Sequence, residues 1–400
     1  MLQGKSILLG VSGGIAVYKA AELVRLFVKE GASVHVVMTA NARQFVTTLT
    51  FQALSSNPVG CDLFSMESES RISHIEKARE ADLVVLAPAT ANLMAKMAAG
   101  IADDYLTTIL LATTAPVLVC PAMNVKMWEH PATRRNLKTL TELGYRVEPP
   151  AVGFLACQEE GAGRLADISN ILESALRLLT PPTLEGRKVL VSAGPTREHF
   201  DPVRFLSNPS SGKMGYALAR IAARRSATVT LVSGPCSLEA PARVERISVT
   251  SAAQMRDAVL NLSACQDAIV MTAAVSDYRP AEVSPRKIKK SPGQLSVVLA
   301  PNPDILASLG AAKPSGQVLV GFAAETENVA ENARDKLMRK NLDLIVANDL
   351  TKEGAGFGAE TNEVKIMGAS EETSLCLMTK EEVAERIWDR VEKLLASGKN

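Results

Sequence analysis

Aromatic residues make up only 4% of this 400-residue chain, and histidine occurs four times. So few rings argue against a stacking platform for single-stranded nucleic acid, and so few imidazoles against a histidine-rich metal centre. The six cysteines, Cys61, Cys120, Cys157, Cys236, Cys265 and Cys376, include no C-x-x-C pair. That scatter argues against zinc and against a disulfide framework, and suits reduced thiols in a cytosol. No apolar run reaches the roughly 18–20 residues of a membrane span. With 44 basic and 43 acidic side chains, no global charge favours nucleic acid or a membrane surface. The first strand-to-helix turn lacks the G-x-G-x-x-G fingerprint of a plain nicotinamide dehydrogenase. The opening residues run into an apolar strand rather than a signal peptide. What remains is the composition of a soluble cytoplasmic protein, 47% hydrophobic and 22% charged.

Four hundred residues exceed what one core usually supports, which predicts two domains. Ser6–Val11 reads as a buried strand closed by Ser12-Gly13-Gly14. Residues 15–29 then carry Ala20, Leu23, Val24, Phe27 and Val28 at helical spacing. Gly31 stops that helix and Ser33–Met38 returns as a strand, a β-α-β unit that opens a parallel sheet. Further strands are predicted at 83–87 and 117–120, with helices at 93–99, 105–111 and 167–179. Thr180-Pro181-Pro182-Thr183 cannot continue a helix. Directly after it, residues 186–194 repeat the opening pattern, followed by a helix over 216–225 and a strand over 228–232. The expected architecture is α/β: two tandem Rossmann-like domains with mostly parallel sheets, at 1–180 and 187–400, joined by a linker at 181–186. Ligands of such sheets sit at the carboxyl ends of the strands.

At those ends, Ser12-Gly13-Gly14 lets backbone N–H groups approach a phosphate at a helix N-terminus. Thr39 adds a hydroxyl, and Pro88-Ala89-Thr90-Ala91-Asn92 more polar groups on the same rim. A glycine loop alone is as readily a tight turn. His74 in Ser73-His74-Ile75, Asn124 in Pro121-Ala122-Met123-Asn124 and Cys157 in a glycine-rich segment have plain readings too: a satisfied histidine, a helix cap, a loop thiol. As a series, G-x-S-G-G-I-A-x-Y-K, S-H-I, A-P-A-T-A-N, P-A-M-N-x-x-M-W and A-C-x(4)-A-G-R resemble the flavin-binding cysteine decarboxylases. The match is to the phosphopantothenoylcysteine decarboxylase family over about residues 4–180. It implies FMN bound by Ser12, Gly13, Gly14, Thr39, Thr90 and Asn92, with His74, Asn124 and Cys157 in the chemistry. Cys157-Gln158-Glu159 stands where family members often carry Cys-Gly-Asp, and Gln takes a positive φ less readily than Gly.

A cysteine carboxylate leaves as CO₂ only if something accepts the electrons. Oxidising the substrate thiol to a thioaldehyde creates that sink, and the flavin takes the hydride and later returns it. The resemblance then makes His74 the base or charge organiser. Asn124 hydrogen-bonds the substrate carboxylate, and Cys157 donates the proton when the ene-thiol is reduced.

In the second half, residues 208–215 precede a helix as a P-loop does, but Ser207 and Met214 occupy two of its required positions. Small residues at a helix start still suit phosphate. Residues 272–277 end a strand with the Asp277 carboxylate at its tip. Lys287-Ile288-Lys289-Lys290, between Pro285 and Pro292, reads as a mobile basic loop, or plainly as a solvated charge cluster. Lys336 and Lys340 fall on one helix face, where a polyphosphate would relieve their repulsion. S-A-G-P-T-R-E, R-F-L-S-N-x-S-S-G-K-M-G, A-A-V-S-D-Y, K-I-K-K, N-P-D-I-L and G-F-A-A-E-T together resemble the phosphopantothenate–cysteine ligase family over about residues 185–395.

That family activates a carboxylate as an acyl-nucleotide, releases pyrophosphate and lets cysteine attack to form an amide. Members fused to the decarboxylase use CTP. The resemblance assigns Ala273, Asp277, Lys287, Asp304, Ile305, Phe322, Lys336 and Lys340 to nucleotide or substrate. Arg204 and Asn208 fall at the acyl-nucleotide, and Asn208 and Lys287 count as catalytic. Mg²⁺ is implied on the triphosphate, and the sequence shows no separate metal cage. A homo-oligomer is implied as well, with trimeric flavin domains and dimeric ligase domains. Jointly the two halves imply a bifunctional enzyme of coenzyme A biosynthesis, acting on 4′-phosphopantothenate, cysteine and CTP. A peptide-cysteine decarboxylase needs only the first half, and a flavin prenyltransferase is not expected to carry the Asn124 and Cys157 motifs with a ligase domain. A non-catalytic regulatory relative tends to lose catalytic residues, and all three remain here.

Overall fold

In a computed structural model that describes residues 2–63, 73–155, 159–290, 294–325, 328–349, 356 and 358–398, the chain forms two compact units, Met1–Pro181 and Pro182–Asn400. The first begins with β1 (Ser6–Val11), α1 (Val17–Lys29) and β2 (Ser33–Met38). There follow α2 (Thr48–Ser55), α3 (Ser73–Glu80), β3 (Leu83–Ala89), α4 (Ala91–Ala99), α5 (Tyr105–Ala112) and β4 (Val117–Pro121). Next come α6 (Val125–Glu129), α7 (Pro131–Glu142) and β5 (Arg146–Val147). A hairpin of β6 (Ala151–Phe154) and β7 (Glu160–Arg164) leads to α8 (Ile168–Leu179).

The main sheet runs β2-β1-β3-β4-β5 with every pair parallel. Both of its faces are covered, so its strands read as near-continuous apolar runs. On β1, Ile7, Leu9 and Val11 join Phe27 and Leu23 of α1 on one face, while Leu8 joins Leu106 and Ile109 of α5 on the other. Helix α1 stops where Gly31 takes φ +93°, and a Cβ there would sit 2.4 Å from the Gln3 Oε1. Only glycine fits both conditions. The order of the sheet reverses beside β1, so the loops after β1 and β3 part and leave a crevice.

The second unit contains β8 (Lys188–Ala193), β9 (Arg197–His199), β10 (Phe205–Ser207), α9 (Lys213–Arg224), β11 (Thr228–Ser233) and β12 (Val244–Ser248). It continues with α10 (Ala252–Ser263), β13 (Ala268–Met271), β14 (Tyr278–Pro280), β15 (Leu299–Pro301), α11 (Ile305–Ala312) and β16 (Val318–Glu325). The remaining elements are α12 (Val329–Arg339), β17 (Leu344–Asp349), β18 (Thr361–Asn362), β19 (Val364–Met367), β20 (Glu372–Ser374), β21 (Met378–Thr379) and α13 (Lys380–Ser397). Its sheet order is β12-β11-β8-β13-β16-β17-β19-β20, parallel as far as β17 and antiparallel beyond. Here the order reverses beside β8, between β11 and β13. The mixed α/β architecture with mostly parallel sheets is the one expected.

Helix α9 lies close on the sheet because Gly215 allows it; a Cβ there would come within 2.6 Å of the Ala193 Cβ. Its other side receives α13. Trp388 is fully buried and donates its indole N–H to the Leu218 carbonyl at 2.9 Å. Arg220 and Arg224 share the Glu381 carboxylate at 2.6 and 2.9 Å. Arg225 holds Glu385, Asp389 and Glu392, one per turn of α13.

Candidate functional site

In the first unit the crevice beside β1 holds two neighbouring cavities. The larger, about 750 Å³, is walled by Gly13, Gly14, Lys19, Thr90, Met123, Asn124, Met127, Leu155 and Arg164 among others. The smaller, about 450 Å³, shares Gly13, Thr90 and Met127 with it and adds Ser12, Thr39, Asn41, Asn92 and Lys96. All six residues expected at the cofactor are therefore gathered here, together with Asn124.

Local bonding explains why these loops hold their shape. Ser12 is buried; its hydroxyl donates to the Pro88 carbonyl at 2.7 Å and accepts the Thr90 N–H at 2.9 Å. One side chain thereby stitches the loop after β1 to the loop after β3. The Thr90 hydroxyl caps α4 by accepting the Leu93 N–H at 3.3 Å. Gly13 admits Asn41, since a Cβ would lie 2.4 Å from the Asn41 Cβ. Helix α1 has no side-chain cap and no acidic residue in its first turn, so its positive end is uncompensated, and Lys19 adds to it.

Asn124 caps α6, accepting the Lys126 N–H on Oδ1 at 2.8 Å. That bond sets the orientation of the carboxamide, whose Nδ2 donates to the Glu159 Oε2 at 2.7 Å. The hairpin returns beside it: Met123 N–H donates to the Gly163 carbonyl at 2.9 Å. A Cβ at Gly163 would sit 2.3 Å from the Met123 carbonyl oxygen, so the A-G-R motif needs glycine there. Cys157 lies outside the described residues; on either side of it, Leu155 N–H donates to the Glu159 carbonyl at 2.8 Å. His74 is the second residue of α3, which packs on α5, and it lines neither cavity among the described residues.

In the second unit the loops after β8 and β13 lock together. Ala274 N–H donates to the Gly194 carbonyl at 2.9 Å and Thr196 N–H to the Ala274 carbonyl at 3.3 Å. The Ser192 hydroxyl accepts the N–H groups of Thr272 and Ala273, each at 3.1 Å. From the other side Asn208 Nδ2 donates to the Val275 carbonyl at 3.1 Å. Beside this joint a cavity of about 140 Å³ is lined by residues 210–215, Ala273, Phe322, Asn362 and Lys380, among others.

Lys213 pairs with Glu360 and donates to the Gly358 carbonyl at 2.7 Å. Lys380 donates to the carbonyls of Ala359 and Thr361. Burial first, and then the Lys213 charge, pushes the Lys380 ammonium below the usual lysine range, with Glu360 opposing.

A second group joins residues 276–277 to 302–305. Asn302 N–H donates to the Asp277 carbonyl at 2.7 Å, and its Nδ2 to the Ser276 carbonyl at 2.8 Å. Asp277 itself stands beyond the end of β13, not at the strand tip, because β13 stops at Met271. Asp304 caps α11, accepting the Ala307 N–H at 2.9 Å, and pairs with Lys340 at 2.7 Å. Burial opposes ionisation of Asp304, but Lys340 and the Ala307 N–H outweigh it and hold the carboxyl below its usual range. Ile305 is buried in the first turn of that helix. Lys340 is the C-cap of α12, one turn after Lys336, whose carbonyl accepts its N–H at 3.1 Å, and its side chain reaches Asp304.

The third group concerns the basic loop, expected to be mobile. One contact reaches it: Arg204 Nη2 donates to the Ile288 carbonyl at 2.5 Å, beside an exposed Lys287. Sequence reasoning passed over Asn41, Lys96 and Lys380 and noted Glu159 only as a departure in the Cys157 motif; Glu159 meets Asn124 across 35 positions and Lys380 lines a cavity with residues 210–215, contacts that leave no local pattern.

The family model described as Flavoprotein matches residues 1–180. The one described as DNA/pantothenate metabolism flavoprotein C-terminal domain matches residues 184–395. The coenzyme A biosynthesis bifunctional protein CoaBC of Vibrio parahaemolyticus is 47% identical over 396 residues, covering 98% of this chain and 99% of the relative. That of Bacillus subtilis is 52% identical over 370 residues, with 92% and 91% covered. A crystal structure of the C-terminal domain of a CoaBC protein shares 42% identity at a TM-score of 0.47, covering 54% of this chain and 99% of that one. Matched along nearly its whole length by such relatives, the chain belongs to the family of coenzyme A biosynthesis bifunctional proteins, a flavoprotein domain followed by a pantothenate-metabolism domain.

Proposed function

We propose that the second unit activates 4′-phosphopantothenate with CTP and couples it to cysteine, and that the first, with FMN, decarboxylates the 4′-phosphopantothenoylcysteine so formed to 4′-phosphopantetheine. The observation that carries the first half is the gathering of Ser12, Gly13, Gly14, Thr39, Thr90, Asn92 and Asn124 around the paired cavities at the switch point of the sheet. Doubly wound sheets take their ligands there. The larger cavity, about 750 Å³, falls within the roughly 300–1,000 Å³ of small-molecule sites. Met123, Met127 and Leu155 suit a flat ring, while Lys19, the positive end of α1 and the hydroxyls of Thr39 and Thr90 suit a phosphate. The residues present therefore fit FMN.

Bound FMN supplies a two-electron oxidation of the substrate thiol and its later reversal, so the net reaction is redox-neutral. Asn124 offers its oriented Nδ2, the donor that meets Glu159, to the substrate carboxylate. His74, which among the described residues lines neither cavity of its own chain, takes the thiol proton or organises charge at the crevice of a second copy in the homo-oligomer, and Cys157 returns a proton to the ene-thiol.

In the ligase half, the 140 Å³ cavity suits a phosphate-sized part of a ligand, with Lys213, Lys380 and the N-terminus of α9 supplying positive charge. Asn208 steadies the carbonyls beside Ala273, and Lys287 neutralises charge as the acyl-nucleotide forms. Asp277, Asp304, Ile305, Phe322, Lys336 and Lys340 complete the nucleotide side, where Lys340 exchanges Asp304 for a phosphate. Mg²⁺ rides on the triphosphate, which supplies its ligands; among the described residues no group of three or more His, Cys, Asp or Glu is arranged to hold a metal. Trimers of flavin domains and dimers of ligase domains build a homo-oligomer in the cytoplasm; no described helix is long and apolar enough to cross a membrane.

The test is spectroscopic. Purified protein is expected to be yellow, and the cofactor released by heat to co-elute with FMN on chromatography. Colourless protein that takes up no FMN on reconstitution overturns the assignment of the first unit.

A further inference from the structure

Asp201, in the turn between β9 and β10, has no exposed surface. Its carboxylate accepts the N–H groups of Val203 and Arg204, both at 2.8 Å, and the Arg204 guanidinium at 2.9 Å from Nε and 2.6 Å from Nη2. Those bonds are local and would form in any tight turn. Two others are not local. Asp201 Oδ2 accepts the Ile288 N–H at 3.2 Å, and Arg204 Nη2 donates to the Ile288 carbonyl at 2.5 Å. An ion pair between a buried carboxylate and a half-buried guanidinium thus satisfies both backbone groups of one residue in the middle of the basic segment. A second tie lies four residues earlier, where Ser284 N–H donates to the Phe200 carbonyl at 3.0 Å.

We propose that Asp201 is a positioning residue for the ligase reaction: it locks Arg204 and Ile288 together and so fixes where Lys287 is presented. The inference rests on the reading of Lys287 as the cation that meets the forming acyl-nucleotide. Burial disfavours charge on Asp201, yet the three N–H groups and the guanidinium outweigh it and hold the carboxyl well below the usual range. The clamp therefore stays ionised wherever the enzyme works. Arg204 acts through it as well, with Nε and Nη2 engaged by Asp201 and by the Ile288 carbonyl. Lys287 sits inside the span bounded by Ser284 and Ile288, while Lys289 and Lys290 extend beyond it. A cation held in place before the substrate arrives loses less freedom on binding than one on a free loop.

The test uses the full chain. Asp201→Asn keeps the shape of the side chain but replaces one acceptor oxygen with a donor. Brief trypsin digestion is expected to cut after Lys287 about tenfold faster in this variant, with the melting temperature still above the assay temperature. Pyrophosphate release from CTP and 4′-phosphopantothenate in the absence of cysteine is expected to slow about tenfold. Decarboxylation of added 4′-phosphopantothenoylcysteine is expected to be unchanged. In a Lys287→Gln background, Asp201→Asn should add less than about twofold, since a residue that acts through Lys287 has nothing left to position.

A full tenfold effect in both backgrounds, or an unchanged digestion pattern, overturns the proposal. Should Asp201→Asn fail to fold, Ile288→Pro removes the non-local donor, and it also restricts the backbone of Lys287. The same rate loss, with faster cleavage after Lys289, is then expected, and wild-type rates with an unchanged pattern overturn the proposal equally. If Lys287→Gln alone leaves pyrophosphate release intact, the reading of Lys287 falls and the positioning role with it. Digestion of Asp201→Asn distinguishes that failure from failure of the clamp.

Discussion

Two bonds of Asn124 serve different ends. Through Oδ1 it starts α6, and through Nδ2 it holds the carboxylate of Glu159. The first bond makes the second directional, because the amide cannot turn over without uncapping the helix. If Nδ2 is also the donor that receives the substrate carboxylate, Glu159 competes for it, and freeing the donor should help binding. Glu159→Ala is expected to lower KM for 4′-phosphopantothenoylcysteine by about fivefold, the worth of one net hydrogen bond of about 1 kcal/mol, with kcat little changed. Steady-state CO₂ release measures both constants; a raised KM would mean that Glu159 holds Asn124 ready rather than blocking it. At this scale the sequence was only partly legible. Gly163 and Ser12 belong to recognisable motifs, but Glu159 meets Asn124 across 35 positions, and no spacing rule reports such a contact.

Helices and strands were far more legible than their partners. Residues of β1 and β2 alternate between two apolar layers, and α1 carries its buried stripe at helical spacing, so periodicity alone locates them. Which helix packs on which is not written in periodicity. The pairing of α9 with α13 depends on Trp388 reaching the Leu218 carbonyl and on arginines meeting acids more than 150 residues away. Burial opposes ionisation of Glu381, but the charges and hydrogen bonds of Arg224 and Arg220 outweigh it and hold its carboxyl below the usual range. A depressed carboxyl contributes stability that is present above its unfolded value and is lost as pH falls through its folded value. Thermal stability of the full chain is therefore expected to fall from about pH 5 downward. Glu381→Gln should melt lower at pH 7 and lose less on acidification, the two curves converging as pH falls through the folded value of Glu381. Parallel curves would assign the acid loss to other groups.

At the scale of the whole molecule, two sheets of related winding each place their loops at a point where strand order reverses, one beside β1 and one beside β8. The repeat of the opening pattern after residue 186 made that duplication readable, because a buried strand followed by a glycine turn is a local signal. Placement of Lys340 against Asp304 and of Ile288 against Asp201 was not readable, since both depend on loops folding back. On this account the product of the second unit is the substrate of the first. The most direct measurement supplies 4′-phosphopantothenate, cysteine and each nucleoside triphosphate in turn to the purified protein, following pyrophosphate and CO₂ together. The account predicts pyrophosphate release with CTP, and CO₂ that appears after it only when cysteine is present. With cysteine present, pyrophosphate without CO₂, or CO₂ independent of the nucleotide, would contradict it.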